Sequence, residues 1–386
     1  MHRIVAALLA LLLPLAGHSR TIQVGPSGDV LRVSDAAKIA QDGDTVEISA
    51  GVYRGDVTVW LQKRLTIRGA DTRPVLIADG KSAEDKAIWV FRSGSFDIAN
   101  IEFRGARVAD GNGAGIRFEH GKLKITNCAF HDNQNGILTS NDNAAELVVE
   151  NSIFGDAPAQ ASPLPHLLYV GRIASLRISG SYFHSGHIGH LIKSRARIND
   201  LRYNLVHDGS SGSASYEIDF PNGGQATLVG NVIGQSAATS NPVLIAFGAE
   251  GAYWPNNRLT LAHNTLLSSG WKPAWFVRVW QKNFPEGVKV ETLNNLLAGI
   301  GPFDIGLNGS SKGNFFIPSE LMNDPEKLDF SLAKESWLRG HVNRPELSAV
   351  DLLPVAEFTL PVGTRSLTRP FEWVPGAFQS PTVARD

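Results

Sequence analysis

"ITNCAF" occupies residues 125–130, and "IANIEF" (98–103), "VENSIF" (149–154) and "ISGSYF" (178–183) repeat its form. A short alternating apolar run leads to Asn or Gly, then to one residue, then to two mostly apolar ones. The form continues as RYNLV at Asn204, VGNVI at Asn231, AHNTLL at Asn264, LNNLL at Asn294 and GNFF at Asn314. From Asn100 onward, through Gly180, the steps are 27, 24, 29, 24, 27, 33, 30 and 20 residues. A period in this range marks a stack of similar units. Within each unit the alternation has period two, broken by polar or Gly-containing turns, which predicts short strands. One coil of strands cannot bury its own apolar face, but stacked coils can, because each strand pairs with its counterpart one coil on. Asn at a fixed corner can hydrogen-bond to the Asn of the next coil and to the turn backbone. A β-sandwich would not need the same residue at the same corner. The expected fold is therefore all-β: a right-handed parallel β-helix, a solenoid over residues 20–317. Residues 318–386 are expected to form a C-terminal extension packed on it.

The rest of the sequence agrees with this class. The chain has 386 residues, 38 of them Gly, and no long amphipathic helix is evident. Its formal net charge of −1 gives no bulk attraction to nucleic acid or to a membrane surface, so neither is an expected partner. Residues 1–19, MHRIVAALLALLLPLAGHS, join a short basic start to an apolar run too short to span a bilayer, followed by small residues. This is a signal-peptide layout, with cleavage near Ser19. The mature protein is expected to be secreted or periplasmic, free of the membrane and monomeric. Cys128 is the only cysteine, so no intrachain disulfide can form, and its alternating context makes it a small buried hydrophobe.

DGDTVEISAGVYRGDVTV (42–59), followed by KRLTIRGA, resembles the first coil of the pectate-lyase-like right-handed parallel β-helix superfamily. That resemblance spans roughly residues 21–317. The superfamily holds lyases, hydrolases, epimerases and proteins without enzymatic role, so it implies a fold and not one activity. HLIKSRARINDLRYN (190–204) also resembles the catalytic coil of the polysaccharide lyase family of chondroitinase B and alginate lyases. Lys193, Ser194, Arg202, Tyr203 and Asn204 match its pattern. The resemblance implies Lys193 as the base that takes the C5 proton of a uronic acid. One coil on, where that family has Arg-His-Gly, this chain reads IDFPNGG (218–224).

Six segments align as one strand repeated: NGILTSN, HLLYVGR, HLIKSRA, YEIDFPN, VLIAFGA and WFVRVWQ. Alternation turns Leu168, Ile192, Ile218 and Ile245 inward and Tyr169, Lys193, Asp219 and Arg278 outward. Arg195 and Glu217 are expected beside that outward column, with His190 at the strand's start and His184 and His187 in the turn before it. In this fold, such a face commonly forms the groove for an extended chain, so a polysaccharide is the expected substrate.

Three functions remain open. β-Elimination on a uronic-acid polysaccharide needs a cation for the carboxylate, a base near C5 and an acid for the leaving oxygen. Arg195 or Arg278 would serve the first, Lys193 the second, and Tyr169 or His190 the third, with Asp219 beside Lys193. An inverting glycosidase, or an epimerase, would instead use acids. Glu217 and Asp219 lie two apart on one strand, about 7 Å from each other, with Glu250 and Asp208 to join them. Alternatively the chain only binds polysaccharide, with Trp254, Trp271, Trp275 and Trp280 stacking on sugar rings. Glu217, Asn222, Arg278 and Trp280 are the expected substrate contacts in any of these. No metal ligand set is recognised, and no cofactor is expected unless the oxygen-rich turns HDNQNG (131–136) and SNDN (140–143) hold Ca²⁺.

Overall fold

The computed structural model describes residues 19–159, 164–210, 212–270, 272–307, 309–345, 351–368 and 372–380. The proposed signal peptide, apart from Ser19, lies outside them, as does Trp271. The chain winds into three parallel sheets. Sheet A has twelve strands, from Thr21–Val24 to Ser310–Lys312, and sheet B eleven, from Val52–Arg54 to Phe315–Ile317. Sheet C has nine, from Thr58–Trp60 to Trp275–Val279. Each strand pairs in parallel with its counterpart one coil on, as the repeat requires. The result is a parallel β-helix.

The corner between sheets A and B explains the Asn repeat and refines it. Its first residue is left-handed in coil after coil: Asn100, Asn127, Asn151, Gly180, Tyr203, Gly230, His263, Asn294 and Gly313 have φ between 49° and 67°. Asn and Gly tolerate that conformation best, which is why they recur there. The second corner residue points inward, and here Cys128, Ser152, Ser181, Asn204, Asn231, Asn264, Asn295 and Asn314 follow one another. The repeat thus mixes two positions. Asn204, Asn231, Asn264 and Asn314 sit one residue later than Asn100, Asn127, Asn151 and Asn294. The spacing to the next core residue separates them: Phe130 follows Asn127 by three, whereas Val206 follows Asn204 by two, and both belong to one register column.

The inner row is a hydrogen-bond ladder. Asn231 Oδ1 accepts from both the backbone N–H and Nδ2 of Asn204, at 3.0 and 2.9 Å. Asn264 Oδ1 accepts the same pair from Asn231, and Asn295 Oδ1 from Asn264. Each Nδ2 also donates to a strand carbonyl, as Asn231 does to Leu201 at 2.9 Å. Toward the N-terminus, Ser181 and Ser152 continue the row through their hydroxyls. A neighbouring column holds Phe103, Phe130, Phe154 and Phe183, stacked with centroids 5.1, 4.6 and 4.7 Å apart.

Other elements cover part of the stack. Near the N-terminal end, the helix Val33–Ile39 buries Val33, Ala36 and Ala37 against the core. The Asp56 carboxylate accepts the backbone N–H of Val33 and Ser34 there, satisfying donors that a helix start leaves free. The C-terminal extension lies on the outer face of sheet B. Met322, Phe330, Leu338, Phe358 and Val374 pack there against Leu205, Val232, Leu267 and Leu296. Tyr203 Oη accepts the N–H of Val355, and Asn294 exchanges two hydrogen bonds with the Asn343 backbone. This leaves the outer face of sheet C uncovered by the extension.

Candidate functional site

Register along sheet C places Tyr169, Lys193, Asp219, Ala246 and Arg278 in one outward column, as the alternation predicts. Leu168, Ile192, Ile218 and Ile245 all point into the core. The column gathers charge. Lys193 Nζ lies 2.9 Å from Glu250 Oε1 and 3.7 Å from Asp219 Oδ2. Arg195 donates to Glu250 Oε2 at 2.6 Å and to Tyr169 Oη at 2.7 Å. Burial works to raise Glu250, but the hydrogen bonds from Lys193 and Arg195 outweigh it and hold its carboxyl below the usual value. Trp254 Nε1 donates to the Arg195 carbonyl at 2.9 Å and braces that strand end.

Asp219 lies beneath this cluster, almost wholly buried, and its Oδ1 meets no donor among the described residues. Burial pushes its carboxyl up to about 7, with Lys193 pulling the other way. His190 faces it, Nε2 to Oδ2 at 3.5 Å. His190, expected at the strand's start as a candidate proton donor, is instead buried between the rings of His166 and Tyr216, 4.8 and 4.7 Å away. Its Nδ1 accepts the N–H of Tyr216, and His166 Nδ1 accepts the N–H of His190. Burial lowers both imidazoles, His166 to about 3, so they are neutral at neutral pH.

Glu217 is the second correction. It is fully buried, with neither carboxylate oxygen hydrogen-bonded among the described residues. Its counterparts one coil away, Leu191 and Leu244, belong to the core, as do the next residues Ile192 and Ile245. Two consecutive residues of the strand Tyr216–Phe220 therefore face inward, and alternation begins only after Ile218. Burial, then the charge of Asp208, raises the Glu217 carboxyl well above its ordinary value. Asp208 is itself buried, accepting N–H groups of Gly186 and Ala214 at 2.6 and 2.9 Å. Glu217 is neither a substrate contact nor half of a surface acid pair with Asp219.

A pocket of about 720 Å³ opens beside the column. Tyr169, Arg195 and Asn222 line it, and so do Arg117, Arg172, Lys86, Asp85 and Asp110, which the sequence reading had passed over. Arg117 lies in the same outward column two coils before Tyr169. It donates to Ser140 Oγ at 3.2 Å, its Nε has no acceptor among the described residues, and burial lowers its guanidinium. Arg172 stacks on Tyr253, 4.5 Å from the ring centre. Extending the aligned strand back to GIRFEH would have found Arg117, and HLLYVGR already contained Arg172 and His166.

Other expected residues lie elsewhere. Arg278 is exposed between Trp275 and Trp280, 5.4 and 4.7 Å from their rings, farther along sheet C. His184 lies over Gly155 on sheet B with Nδ1 against Ser185 Oγ, and His187 Nδ1 is 3.4 Å from Ser213 Oγ, so both serve their turn. In the two oxygen-rich turns, most oxygens are already engaged. Asn133 Oδ1 accepts from Ala106, Asn141 Oδ1 from Arg172, and Asp142 meets His120 and Ala144. Among the described residues no group of three or more His, Cys, Asp or Glu is placed to hold a metal ion.

Three stacked parallel sheets, the third with charged side chains on its outer face, make this a parallel β-helix. Among solved structures it is similar to pectate lyase Pel9A, with a TM-score of 0.64 and 13% identity over 94% of this chain and 96% of that one. It is also similar to an alginate lyase from Paenibacillus sp. str. FPU-7, with a TM-score of 0.44 and 14% identity over 76% of this chain and 99% of that one. The sequence matches no family model and no curated protein.

Proposed function

We propose that this protein is an exported polysaccharide lyase that cleaves a uronic-acid-containing polysaccharide by β-elimination. The observation that carries this reading is the pocket in which Arg117, Arg172 and Arg195 converge beside the Tyr169 hydroxyl. Abstraction at C5 puts charge onto the adjacent carboxylate, and clustered guanidiniums stabilise that charge as it grows. Tyr169 is the proton-transfer group. Arg195 donates into its oxygen, so negative charge developing there is met, and the phenolic hydrogen is left for another acceptor. The Tyr169 phenol gives its hydrogen to the leaving oxygen as Oη takes the C5 proton, so the C4–O bond breaks while the C4–C5 double bond forms and the phenol is regenerated.

Lys193 is assigned the base role by its resemblance to the chondroitinase B family. Here its ammonium donates to Glu250 and sits near Asp219, so its role in this reading is to hold positive charge behind Tyr169, whose ring centre is 5.8 Å from Nζ. A hydrolytic reading keeps one observation in its favour. Asp219 is pushed up to about 7 while Glu250 is held down, and acid and base pairs are often set apart this way. Asp219, however, lies beneath Lys193 and outside the pocket lining. The test is incubation with alginate, pectate, hyaluronan, chondroitin and bacterial exopolysaccharides. A lyase yields unsaturated uronates that absorb in the low ultraviolet. Reducing ends without that absorbance would make the protein a hydrolase, and neither product would make it a binder.

A further inference from the structure

The outward face of sheet C is not open along its length. In the first coils its outward residues Val59 and Val90 belong to an apolar cluster with Ala83, Ala87 and Ala114. Residues of a solvent-facing sheet would be wet; these are buried or half-buried because the turn over residues 78–86 folds across them. Ala83 N–H donates to the Ala87 carbonyl at 2.7 Å, closing the turn. A four-charge clasp holds it down: Glu84 pairs with Lys86 and Arg92, and Glu119 with the same two cations at 2.8 and 2.6 Å. Asp85 and Lys86 of this turn, with Asp110 of the next coil, line the pocket on that side. In the other direction, past Lys193, the outward positions Asp219 and Ala246 are buried. The pocket floor along this column therefore runs from Arg117 through Leu138 to Tyr169, two coil steps or about 10 Å, with Arg195 beside it.

We infer that the enzyme works from a chain end, taking the terminal sugars of a polyuronate into this pocket and releasing products of one short length. A polymer cannot lie across a floor that is walled at the 78–86 turn, so only a terminus can enter. The end residue meets Asp85 and Asp110, whose carboxylates accept hydrogen bonds from sugar hydroxyls. A terminal sugar carries a free hydroxyl where an internal one carries its glycosidic bond, so acceptors on that side favour the terminus. This inference rests on the lyase reading.

The test uses the full mature chain on whichever polyuronate yields unsaturated product. At low conversion, size-exclusion chromatography should show one short product length, and viscosity should fall slowly per bond cleaved. A ladder of unsaturated oligomers with a rapid fall in viscosity would overturn end action while leaving the lyase reading standing. Absence of unsaturated product on every polyuronate would sink both. Replacing residues 79–85 by a short turn should open the floor and convert the single product into a ladder. If that variant does not fold, Glu84→Ala loosens the clasp without shortening the chain and should bring longer products into the mixture. A folded variant of either kind that still gives a single product length would show that the 78–86 turn does not set the mode of action.

Discussion

Two rows of polar side chains run along this solenoid, and they are wired in opposite ways. At the corner between sheets A and B, each inner Asn from Asn204 to Asn295 donates forward to the next Oδ1 and inward to a strand carbonyl. Along sheet C, Arg117 Nε and Asp219 Oδ1 have no such partner among the described residues. Charges of both signs crowd there, and an imidazole stack is held neutral. A buried polar group left unpartnered is costly, so a fold retains it only under some other constraint. The Asn ladder is satisfied at every step, whereas the sheet C column leaves Arg117 Nε and Asp219 Oδ1 without partners among the described residues.

Substitutions in the two rows should separate along that line. Asn231→Ala should have the largest effect. It removes the acceptor of two Asn204 donors and the donor to Leu201, at about 1 to 3 kcal/mol for each group left buried and unpaired. Urea unfolding should show a loss of roughly 3 to 5 kcal/mol, the range reserved for broken buried networks. A loss under 1 kcal/mol would mean that water replaces the ladder and that the contrast between the rows is false. Tyr169→Phe comes next. It should lower turnover by about 10²-fold or more, the usual scale for a proton-transfer group. Its unfolding midpoint should stay close to that of the wild type, because the ring remains in place. Full activity in this variant would move proton transfer to Lys193. Lys193→Ala tests that directly: in the present reading it weakens catalysis by about tenfold through lost positive charge, a smaller effect than Tyr169→Phe. Steady-state rates on the same substrate rank the two.

Much of this contrast was legible in the sequence, and the losses have physical causes. The coil period, the inward Leu168, Ile192, Ile218 and Ile245, and the column of Tyr169, Lys193 and Asp219 follow from alternation and stacking alone. The Asn repeat was visible, but two adjacent corner positions overlapped in it, because Asn suits both a left-handed residue and an inward ladder. Glu217 was misplaced because strict alternation turns it outward, whereas in the strand Tyr216–Phe220 both Glu217 and Ile218 are buried on the inner side. His190 was placed at the strand start correctly, but its burial depends on His166 and Tyr216 from neighbouring coils. Arg117 and Arg172 were missed because the pocket is made by turns 85–86 and 110–112 folding over the sheet. No period in the sequence reports where such a turn lands. The same turns shorten the expected groove into a pocket.

The smallest expected effect belongs to Glu217, which tests the contrast from inside the core. Its carboxyl is raised well above its ordinary value, first by burial and then by Asp208. A raised folded value means that the protonated form is favoured in the fold. The group's contribution is fully present below about 4.5 and is lost as pH rises through the higher folded value. The whole-protein curve will not show this plainly. His166, His207 and His263 are lowered by burial to between about 3 and 4, so their contribution moves oppositely, lost as pH falls from 6.5 toward those values. The informative quantity is the difference between Glu217→Gln and the wild type. It should be close to zero at pH 4 and grow steadily in favour of the variant as pH rises toward 8. Asp219→Asn should show a gain that levels off above about pH 7, where its own carboxyl has titrated. If Glu217→Gln is instead less stable than the wild type at pH 8, the carboxylate has a partner in solution. Glu217 would then belong with the satisfied framework and not with the strained face of sheet C.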